Sequence, residues 1–204
     1  MELPSERSTT PKGVRERTKD AIRSELSAAA MRSFQEVGYS GTTVEAIAAS
    51  VGVSGRTFFR YFASKEDAVL QPIENLGRDA AVRLLDRPAR ETPLQALRAA
   101  MDVAVEAVLQ DVPLMRTVMR LNVENPELRR RHLQRMDEWI DQLAHALALR
   151  QGLTPTDPSA RLPCSIVLAA WELALHRCAQ RDGFEMVSEA LDAALSEAKG
   201  FLRR

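Results

Sequence analysis

The segment formed by residues 42–65, TTVEAIAASVGVSGRTFFRYFASK, most strongly limits the folds open to this chain. It contains two short helical patterns separated by a turn at residues 50–53, where Gly52 stands at the sharp reversal and favours a positive φ. Ser54 follows as a natural N-cap of the second helix. Two short helices joined by such a turn predict a helix-turn-helix, a motif that places its second helix in the major groove of DNA.

The spacing of apolar side chains supports this prediction. Either Thr42 or Thr43 caps the first helix, in which Val44 and Ile47 share one face. Phe58 shares a face of the second helix with Phe62, and both should be buried. The other side chains of the second helix then face outward, and they are Arg56, Thr57, Phe59, Arg60 and Tyr61. Arginine binds guanine in a bidentate manner, hydroxyls reach phosphate, and a phenyl ring contacts the thymine methyl group, so this face is suited to DNA.

The flanking sequence extends the pattern on both sides. Residues 15–37 carry an apolar stripe at helical spacing, and Gly38 ends this helix as a C-cap residue. Ser64 caps a further helix, with Glu66 and Asp67 in its first turn. The order of these features resembles the TetR family of bacterial transcriptional repressors over residues 15–70. The matching residues are Phe34, Gly38, Tyr39, Thr42, Thr43, Ile47, Ala48, Gly52, Val53, Ser54, Thr57, Phe58, Phe59, Tyr61, Phe62, Ser64, Lys65 and Glu66.

The resemblance implies an all-α fold with a three-helix DNA-binding domain and a larger helical domain for ligand binding and dimerisation. We expect a disordered arm at residues 1–14, the helix-turn-helix domain at 15–65 and the regulatory domain at 66–204. Capping residues and prolines place six further helices in the regulatory domain, at residues 66–85, 93–110, 113–122, 126–150, 158–181 and 185–202. Pro72 should kink the first of these. The total is about nine helices.

The resemblance also implies which residues contact DNA. Thr43 would touch phosphate at the start of the first helix of the motif, and Tyr61 and Lys65 would hold phosphates after the second. Base edges would be read from Gly55, Arg56, Thr57 and Phe59, with Arg60 on the same outward face. Many relatives carry a long polar side chain where this chain has Gly55, so base reading should depend more on Arg56. Lys12, Arg15, Arg17 and Lys19 either follow the phosphate backbone or belong to a solvated tail.

The charge distribution agrees with a DNA-binding head. Residues 1–65 carry ten Lys or Arg and seven Asp or Glu, a net charge of +3, within a chain whose formal net charge is zero. The remainder is therefore mildly acidic. A positively charged N-terminal region followed by a mildly acidic remainder is consistent with DNA binding, although the excess of positive charge is small.

The sequence gives little support to an enzyme or a membrane protein. His132, His145 and His176 show no metal-binding spacing, and neither a phosphate-binding glycine loop nor a nucleophile elbow occurs, so we expect no cofactor. Cys164 and Cys178 lie about 21 Å apart on one predicted helix, too far for a disulfide, and should be buried thiols. Neither an 18-residue apolar run nor a secretory signal is apparent, which predicts a cytoplasmic protein.

The regulatory domain should have two roles. The resemblance implies a homodimer through the last two long helices, whose apolar faces include Ile166, Ala170, Leu173, Arg177, Val187, Leu191, Ala194 and Leu195. An effector pocket is expected among soft and aromatic side chains of the middle helices: Met101, Val105, Met115, Met119, Met136, Trp139, Ile140, Leu143 and Trp171. Such stripes also occur in ordinary cores. The apolar lining favours an apolar or amphipathic effector, and some similar actinobacterial regulators respond to fatty acyl thioesters.

Two classes of function therefore remain. The first is a ligand-responsive dimeric regulator, most often a repressor in this family, that is released from a palindromic operator by a small molecule. The second is a helical interaction or scaffolding protein in which the helix-turn-helix pattern is incidental. Binding to operator DNA would distinguish them.

Overall fold

The computed structural model describes the backbone of residues 14–202 and the side chains of residues 17–201. Most of the predicted N-terminal arm, residues 1–13, lies outside this range. Between Val14 and Leu202 the chain forms no strand and eleven α-helices: α1 (Val14–Gly41), α2 (Val44–Ser50), α3 (Gly55–Phe59), α4 (Lys65–Val69), α5 (Leu76–Leu85), α6 (Pro93–Ala100), α7 (Asp102–Gln110), α8 (Val112–Glu124), α9 (Pro126–Arg150), α10 (Arg161–Arg181) and α11 (Val187–Leu202). The prediction of an all-α fold is confirmed.

The chain divides into two compact units between Val69 and Leu70. The smaller unit contains α1 to α4, and α4 packs against α1. In the larger unit α5 packs along α9, and α10 packs along α11. The interior of the larger unit is formed by fully buried side chains such as Leu84, Leu97, Trp139 and Phe184.

Two predicted helices are each divided in the structure, which accounts for eleven helices rather than nine between Val14 and Leu202. The helix predicted at residues 66–85 is broken, not kinked. Pro72 lacks an amide hydrogen and lies in a 3₁₀ turn, Gln71–Ile73, which separates α4 from α5. The helix predicted at 93–110 is interrupted at Met101, where the chain tightens and the Ala104 amide bonds to the Met101 carbonyl at 2.9 Å. No proline or glycine marks that second break.

Capping residues fixed the other helix boundaries well. Thr92 and Gln95 form a reciprocal capping box at α6, and Asp111 accepts a 3.0 Å hydrogen bond from the Leu114 amide at α8. Before α10 a 3₁₀ turn occupies Pro158–Ala160, so the α-helix itself begins later than predicted. A similar turn, Phe184–Met186, precedes α11, and Asp182 adopts a left-handed conformation with φ of 53° between α10 and α11.

Helix α10 with its preceding 3₁₀ turn, Pro158–Arg181, is long and apolar enough to span a membrane by length and composition alone. The buried residues of α10 include Cys164, Leu168 and Trp171. Core helices of soluble proteins pass the same test, so this property is weak evidence for a membrane span.

The contact between α5 and α9 depends on a glycine. A Cβ atom at Gly77 would lie 2.5 Å from two ring atoms of Trp139 and 2.7 Å from Oε1 of Gln142. We expect Gly77→Ala to lower the free energy of unfolding by about 1–3 kcal/mol, because the buried indole has no room to move away. Gly200→Ala in α11 is the control, since a Cβ there meets no atom within 4 Å. Urea unfolding followed by circular dichroism measures both, and equal stabilities would contradict the packing argument.

Candidate nucleic-acid interface

The turn before the motif is held by two threonines with different tasks. Thr43 is the N-cap of α2 and accepts a 3.1 Å hydrogen bond from the Ala46 amide. Thr42 is 2% exposed, donates to the Gly38 carbonyl at 2.8 Å and lies 3.0 Å from the Ser33 hydroxyl. Gly38 has φ of 73° and interrupts α1, as expected of a C-cap. The entry angle of α2 is therefore fixed by side-chain hydrogen bonds.

The turn between α2 and α3 has the predicted geometry. Gly52 adopts φ of 74°, a left-handed conformation that disfavours other residues. The amides of Gly52 and Val53 bond back to the carbonyls of Ala49 and Ala48, each at 3.0 Å. Ser54 caps α3 by accepting a 3.1 Å hydrogen bond from the Thr57 amide.

Helix α3 is short and is locked onto the core of the smaller unit. Phe58 is fully buried and Phe62 is 2% exposed, as predicted, and their ring centroids lie 5.6 Å apart. The guanidinium of Arg23 lies 5.0 Å from the Phe62 ring centroid. The chain leaves α3 through a further turn, in which the Tyr61 amide bonds to the Phe58 carbonyl at 2.8 Å. This anchoring fixes which side of α3 faces solvent.

The solvent-facing side of α3 carries side chains that were predicted to contact DNA. Arg56 and Arg60 are exposed, and Phe59 has 56% of its surface exposed. The Arg60 guanidinium lies 5.3 Å from the Tyr61 ring centroid and 3.4 Å from its hydroxyl. Of the other predicted contacts, Thr43 is exposed, whereas Gly55, Thr57 and Tyr61 are partly buried.

The ammonium group of Lys65 is hydrogen-bonded within the protein itself, which phosphate binding alone does not require. Its ammonium donates to the carbonyls of Tyr39 and Thr42 at 2.7 and 2.8 Å, and it lies 3.9 Å from the Tyr39 ring centroid. Two of its three N–H groups are therefore used to join α4 to the turn between α1 and α2. The sequence did not reveal this structural role, because the bonded carbonyls are far away along the chain.

A small cavity lies among the middle helices of the larger unit. Five of the nine predicted effector-binding residues line it: Met115, Met119, Met136, Trp139 and Trp171. Its volume of about 10 Å³ accommodates at most one water molecule. The other wall residues are Ile73, Leu76, Val118, His132 and Leu175.

The other four predicted residues do not line this cavity. Met101 and Leu143 are fully buried, Val105 is 6% exposed and Ile140 is partly buried. They pack in the helical core because a methionine or aliphatic stripe serves core packing as readily as a pocket. The apolar pattern alone did not separate the two uses.

Polar groups at the cavity were not foreseen from the sequence. His132 is 2% exposed, and its Nε2 lies 2.8 Å from Oε1 of Glu172 on α10. Although His176 lies four residues after Glu172 on α10, its Nδ1 contacts the Glu172 backbone carbonyl, at 2.9 Å, and not the carboxylate. Burial alone would raise the pKa of the Glu172 carboxyl, but the hydrogen bond from His132 and nearby positive charges outweigh burial and lower it. Glu172 is therefore ionised at neutral pH.

Three buried polar side chains near this region have atoms with no hydrogen-bond partner. They are Nδ1 of His132, Nε1 of Trp139 and both amide atoms of Asn122. His132 and Trp139 line the cavity, and Asn122 continues the same face of α8 one turn beyond Met119. Unpartnered polar atoms are costly in a dry interior, so their concentration here is a notable feature.

Both cysteines are buried thiols without a disulfide, as predicted. Burial raises the pKa of the Cys164 thiol to about 12 and also raises that of Cys178. A thiol that stays protonated at neutral pH is a poor nucleophile. Neither cysteine is therefore suited to catalysis.

Comparison with known proteins agrees with the geometry of both units. Residues 26–71 match the model of bacterial regulatory proteins of the tetR family, and residues 91–202 match that of the MftR C-terminal domain. The HTH-type transcriptional regulator TcmR of Streptomyces glaucescens is 38% identical over 163 residues, which cover 76% of this chain and 72% of TcmR. The chain belongs to the TetR family of bacterial transcriptional regulators.

Other TetR-family relatives extend the similarity. A mycofactocin biosynthesis transcriptional regulator of Mycobacterium tuberculosis, MftR, is 29% identical over 184 residues, covering 83% of this chain and 85% of MftR. The crystal structure of Thermus thermophilus FadR, a TetR-family repressor in complex with lauroyl-CoA, aligns with a TM-score of 0.54 and 27% identity. The alignment covers 85% of this chain and 91% of FadR.

Within this TetR-family fold, several predicted interface residues belong to the protomer's own core. Val187 and Leu191 are fully buried, and Ala194, Leu195 and Ala170 are 3–5% exposed. Their side chains therefore face inward within one chain. Leu173 is 40% exposed, Ile166 is partly buried, and Arg177 pairs with Glu197 at 2.8 Å, so these three remain at the surface.

The exposed faces of α10 and α11 carry further apolar side chains beside Ile166 and Leu173, which the sequence analysis had named. On α10, Leu162 is 66% exposed and lies on one stripe with Ile166, Ala169 and Leu173, at helical spacing. On α11 the exposed apolar residues include Ala193 and Phe201, and Phe201 is 78% exposed. Met186, in the 3₁₀ turn just before α11, is exposed as well. These positions are exposed or partly buried apolar residues on or next to the two helices.

Proposed function

We propose that this TetR-family regulator is a homodimeric repressor that binds a palindromic operator through α3 and is released by a small effector. The observation that carries the proposal is the anchored α3. Its capped N-terminus and buried Phe58 hold Arg56, Phe59 and Arg60 on one exposed side. Two positive charges and an exposed phenyl ring offer little to stability, but they suit base edges and phosphates. An operator-binding regulator works in the cytoplasm, where the bacterial DNA lies.

Each exposed group has a proposed role at the operator. Arg56 reads guanine in a bidentate manner, and Phe59 contacts a thymine methyl group. Thr43, Arg60 and Tyr61 bind phosphates around the groove. The backbone at Gly55 and the hydroxyl of Thr57 lie close to the base edges. Lys65 has one N–H group left for a phosphate after its two bonds to carbonyls.

Arg56 is the sharpest test of the reading face. Arg56→Ala should reduce discrimination between operator and unrelated DNA by about 1–3 kcal/mol, because a bidentate base contact is lost. Arg56→Lys is the matched control: it keeps the charge and so the salt dependence, but it lacks the guanidinium fork. Fluorescence anisotropy with both DNAs at several salt concentrations measures these effects. Unchanged selectivity in Arg56→Ala would show that the reading face is wrongly assigned.

A gel shift with the DNA upstream of this protein's own gene and its neighbours tests the function as a whole. We expect a discrete complex on a palindromic segment, which unlabelled copies of that segment displace and unrelated DNA does not. The protein could also fail to form a selective complex with these DNAs and with any DNA selected from a random-sequence library. That result would favour the alternative function, a helical interaction or scaffolding protein.

The exposed apolar stripe of α10 and the exposed residues of α11 support dimerisation. Leu162, Leu173 and Phe201 are exposed apolar side chains on these two helices, and contiguous exposed apolar surface is typical of protein interaction sites. A twofold arrangement of the two helices with their mates would cover these residues. Two recognition helices spaced by one turn of DNA, about 34–36 Å, then match a palindrome.

The cavity lined by methionine and tryptophan supports an apolar or amphipathic effector. Methionine side chains adapt to different shapes, so the closed cavity of about 10 Å³ can widen when its walls move. FadR was crystallised with lauroyl-CoA. A fatty acyl thioester is accordingly one candidate effector for this chain, alongside other hydrophobic compounds.

A further inference from the structure

The cavity combines two properties that rarely occur together. Its walls are formed mainly by methionine, aliphatic and tryptophan side chains, yet two wall residues present polar atoms without partners. Both residues are almost completely buried, His132 at 2% exposure and Trp139 at 1%. A purely structural cavity would be expected to avoid such atoms, because each one costs free energy when it is left unpaired.

Trp139 Nε1–H is only a donor. Because the ionised Glu172 carboxylate accepts from Nε2 of His132, Nε2 carries a hydrogen. In the neutral form of the ring, Nδ1 is then an acceptor. These two residues of the cavity wall therefore carry one donor and one further ring nitrogen without a partner.

The spacing of these groups describes the molecule that would satisfy them. His132 and Trp139 lie on the same face of α9, two turns apart, so their Cα atoms are separated by about 10 Å along the helix axis. This Cα spacing favours a molecule that is elongated along α9. The apolar wall between them includes Met136 and Trp171, which suits ring systems or stiff hydrocarbon.

The charge of the site also selects among effectors. A carboxylate placed near His132 would face the nearby Glu172 carboxylate, which already pairs with Nε2 of His132 at 2.8 Å. No lysine or arginine lies in the cavity wall among the described residues. An anionic group would therefore lose its hydration without gaining an unpaired cationic partner. The site favours an uncharged molecule.

We propose that His132 and Trp139 are the polar anchors of the effector site and that they select an uncharged, elongated, mainly apolar molecule. Its hydroxyl donates to Nδ1 of His132, and its carbonyl or ether oxygen accepts from Nε1–H of Trp139. This inference rests on the proposed effector-responsive function and deepens it. It disfavours fatty acid anions as effectors, and a fatty acyl thioester lacks the hydroxyl that His132 would bind.

The chain supplies its own spectroscopic probe of this site. Its two tryptophans are Trp139 and Trp171, and both line the cavity. A ¹H–¹⁵N spectrum of the full-length protein therefore contains two indole signals, and both report on the site. Trp171→Phe assigns them by removing one.

Four probe molecules of similar size test separately whether binding requires a hydrogen-bond donor, a hydrogen-bond acceptor and the absence of charge. 7-Hydroxyflavone has the donor and the acceptor, flavone has only the acceptor, 2-phenylnaphthalene has neither, and dodecanoate is an anion. We expect 7-hydroxyflavone to bind most tightly, with about 10-fold loss for each hydrogen bond removed, and to shift the Trp139 indole signal. Dodecanoate should bind most weakly. No binding by 7-hydroxyflavone, or equal binding by 2-phenylnaphthalene or dodecanoate, would overturn the proposal.

Variants link the preference to the two anchors. Trp139→Phe and His132→Gln should each weaken binding of 7-hydroxyflavone about 10-fold and leave 2-phenylnaphthalene unaffected. Trp171→Phe is the matched control, with an expected loss below about 3-fold, because it makes the same ring change without removing an unpartnered buried donor. Equal losses in Trp139→Phe and Trp171→Phe would mean that ring area, and not the hydrogen bond, determines binding.

The gel shift with operator DNA is carried out on the same protein preparations. The anchor assignment and the proposed regulatory function can therefore be refuted independently of each other. Selective DNA binding without a preference for 7-hydroxyflavone overturns the anchor assignment alone. A preference for 7-hydroxyflavone without selective DNA binding keeps the anchors and overturns the proposed regulatory function.

Discussion

Leu173→Glu is expected to produce a folded monomer that binds the operator far more weakly than the wild-type protein. Leu173 is 40% exposed on the apolar stripe of α10, so a carboxylate there is tolerated in one chain but not against a second apolar face. We expect the dimer to lose about 2–4 kcal/mol of association free energy, the range of a central interface residue. Sedimentation equilibrium measures the association, and circular dichroism verifies the fold.

Leu191→Glu provides the contrast on α11. Leu191 is fully buried within the protomer, so the same change should unfold the chain or make it insoluble, at a cost above about 4 kcal/mol. A wild-type protein that is monomeric at micromolar concentration would refute the dimer. A dimeric Leu173→Glu variant would place the interface elsewhere.

Lys65→Ala is expected to destabilise the DNA-binding unit by about 2–4 kcal/mol. The change removes a charged donor from two backbone carbonyls, those of Tyr39 and Thr42, and each hydrogen bond to a charged group contributes about 1.5–3 kcal/mol. Hydrogen exchange of amides in α2 and α4 should therefore accelerate, while amides in α9 and α10 remain protected.

The control for this prediction is Lys19→Ala, which removes the same charge from an exposed position on α1. Its effect on stability should stay below about 0.5 kcal/mol. If Lys65→Ala left amide protection unchanged and only reduced the salt dependence of DNA binding by about one counterion, Lys65 would be a phosphate ligand without a structural role.

The DNA-binding unit was predictable because its determinants are local. A cap and the first turn of its helix lie within three residues of each other, as with Ser54 and Thr57, and Gly52 acts through its own backbone. The i, i+4 pair Phe58 and Phe62 similarly fixes the buried side of α3 without knowledge of its neighbours. Short-range chemistry of this kind is readable from sequence.

The proposed effector site was only partly predictable because its determinants are distant along the chain. His132 and Glu172 are 40 residues apart, so their hydrogen bond could not be inferred from helical spacing. The apolar stripes of α10 and α11 likewise did not show which face of each helix is buried within its own chain. Leu191 and Leu173 look equivalent in the sequence and differ completely in exposure.

The broken segment between α4 and α5 has a thermodynamic consequence. Ile73 belongs to the 3₁₀ turn and Leu76 begins α5, so the first residues of the larger unit form part of the cavity wall. We expect a molecule that widens the cavity to displace this segment, and any coupling between effector and operator binding acts in both directions. If the effector weakens operator binding by some factor, saturating operator DNA must weaken effector binding by that same factor. The promoter would then set the intracellular effector concentration at which the protein responds.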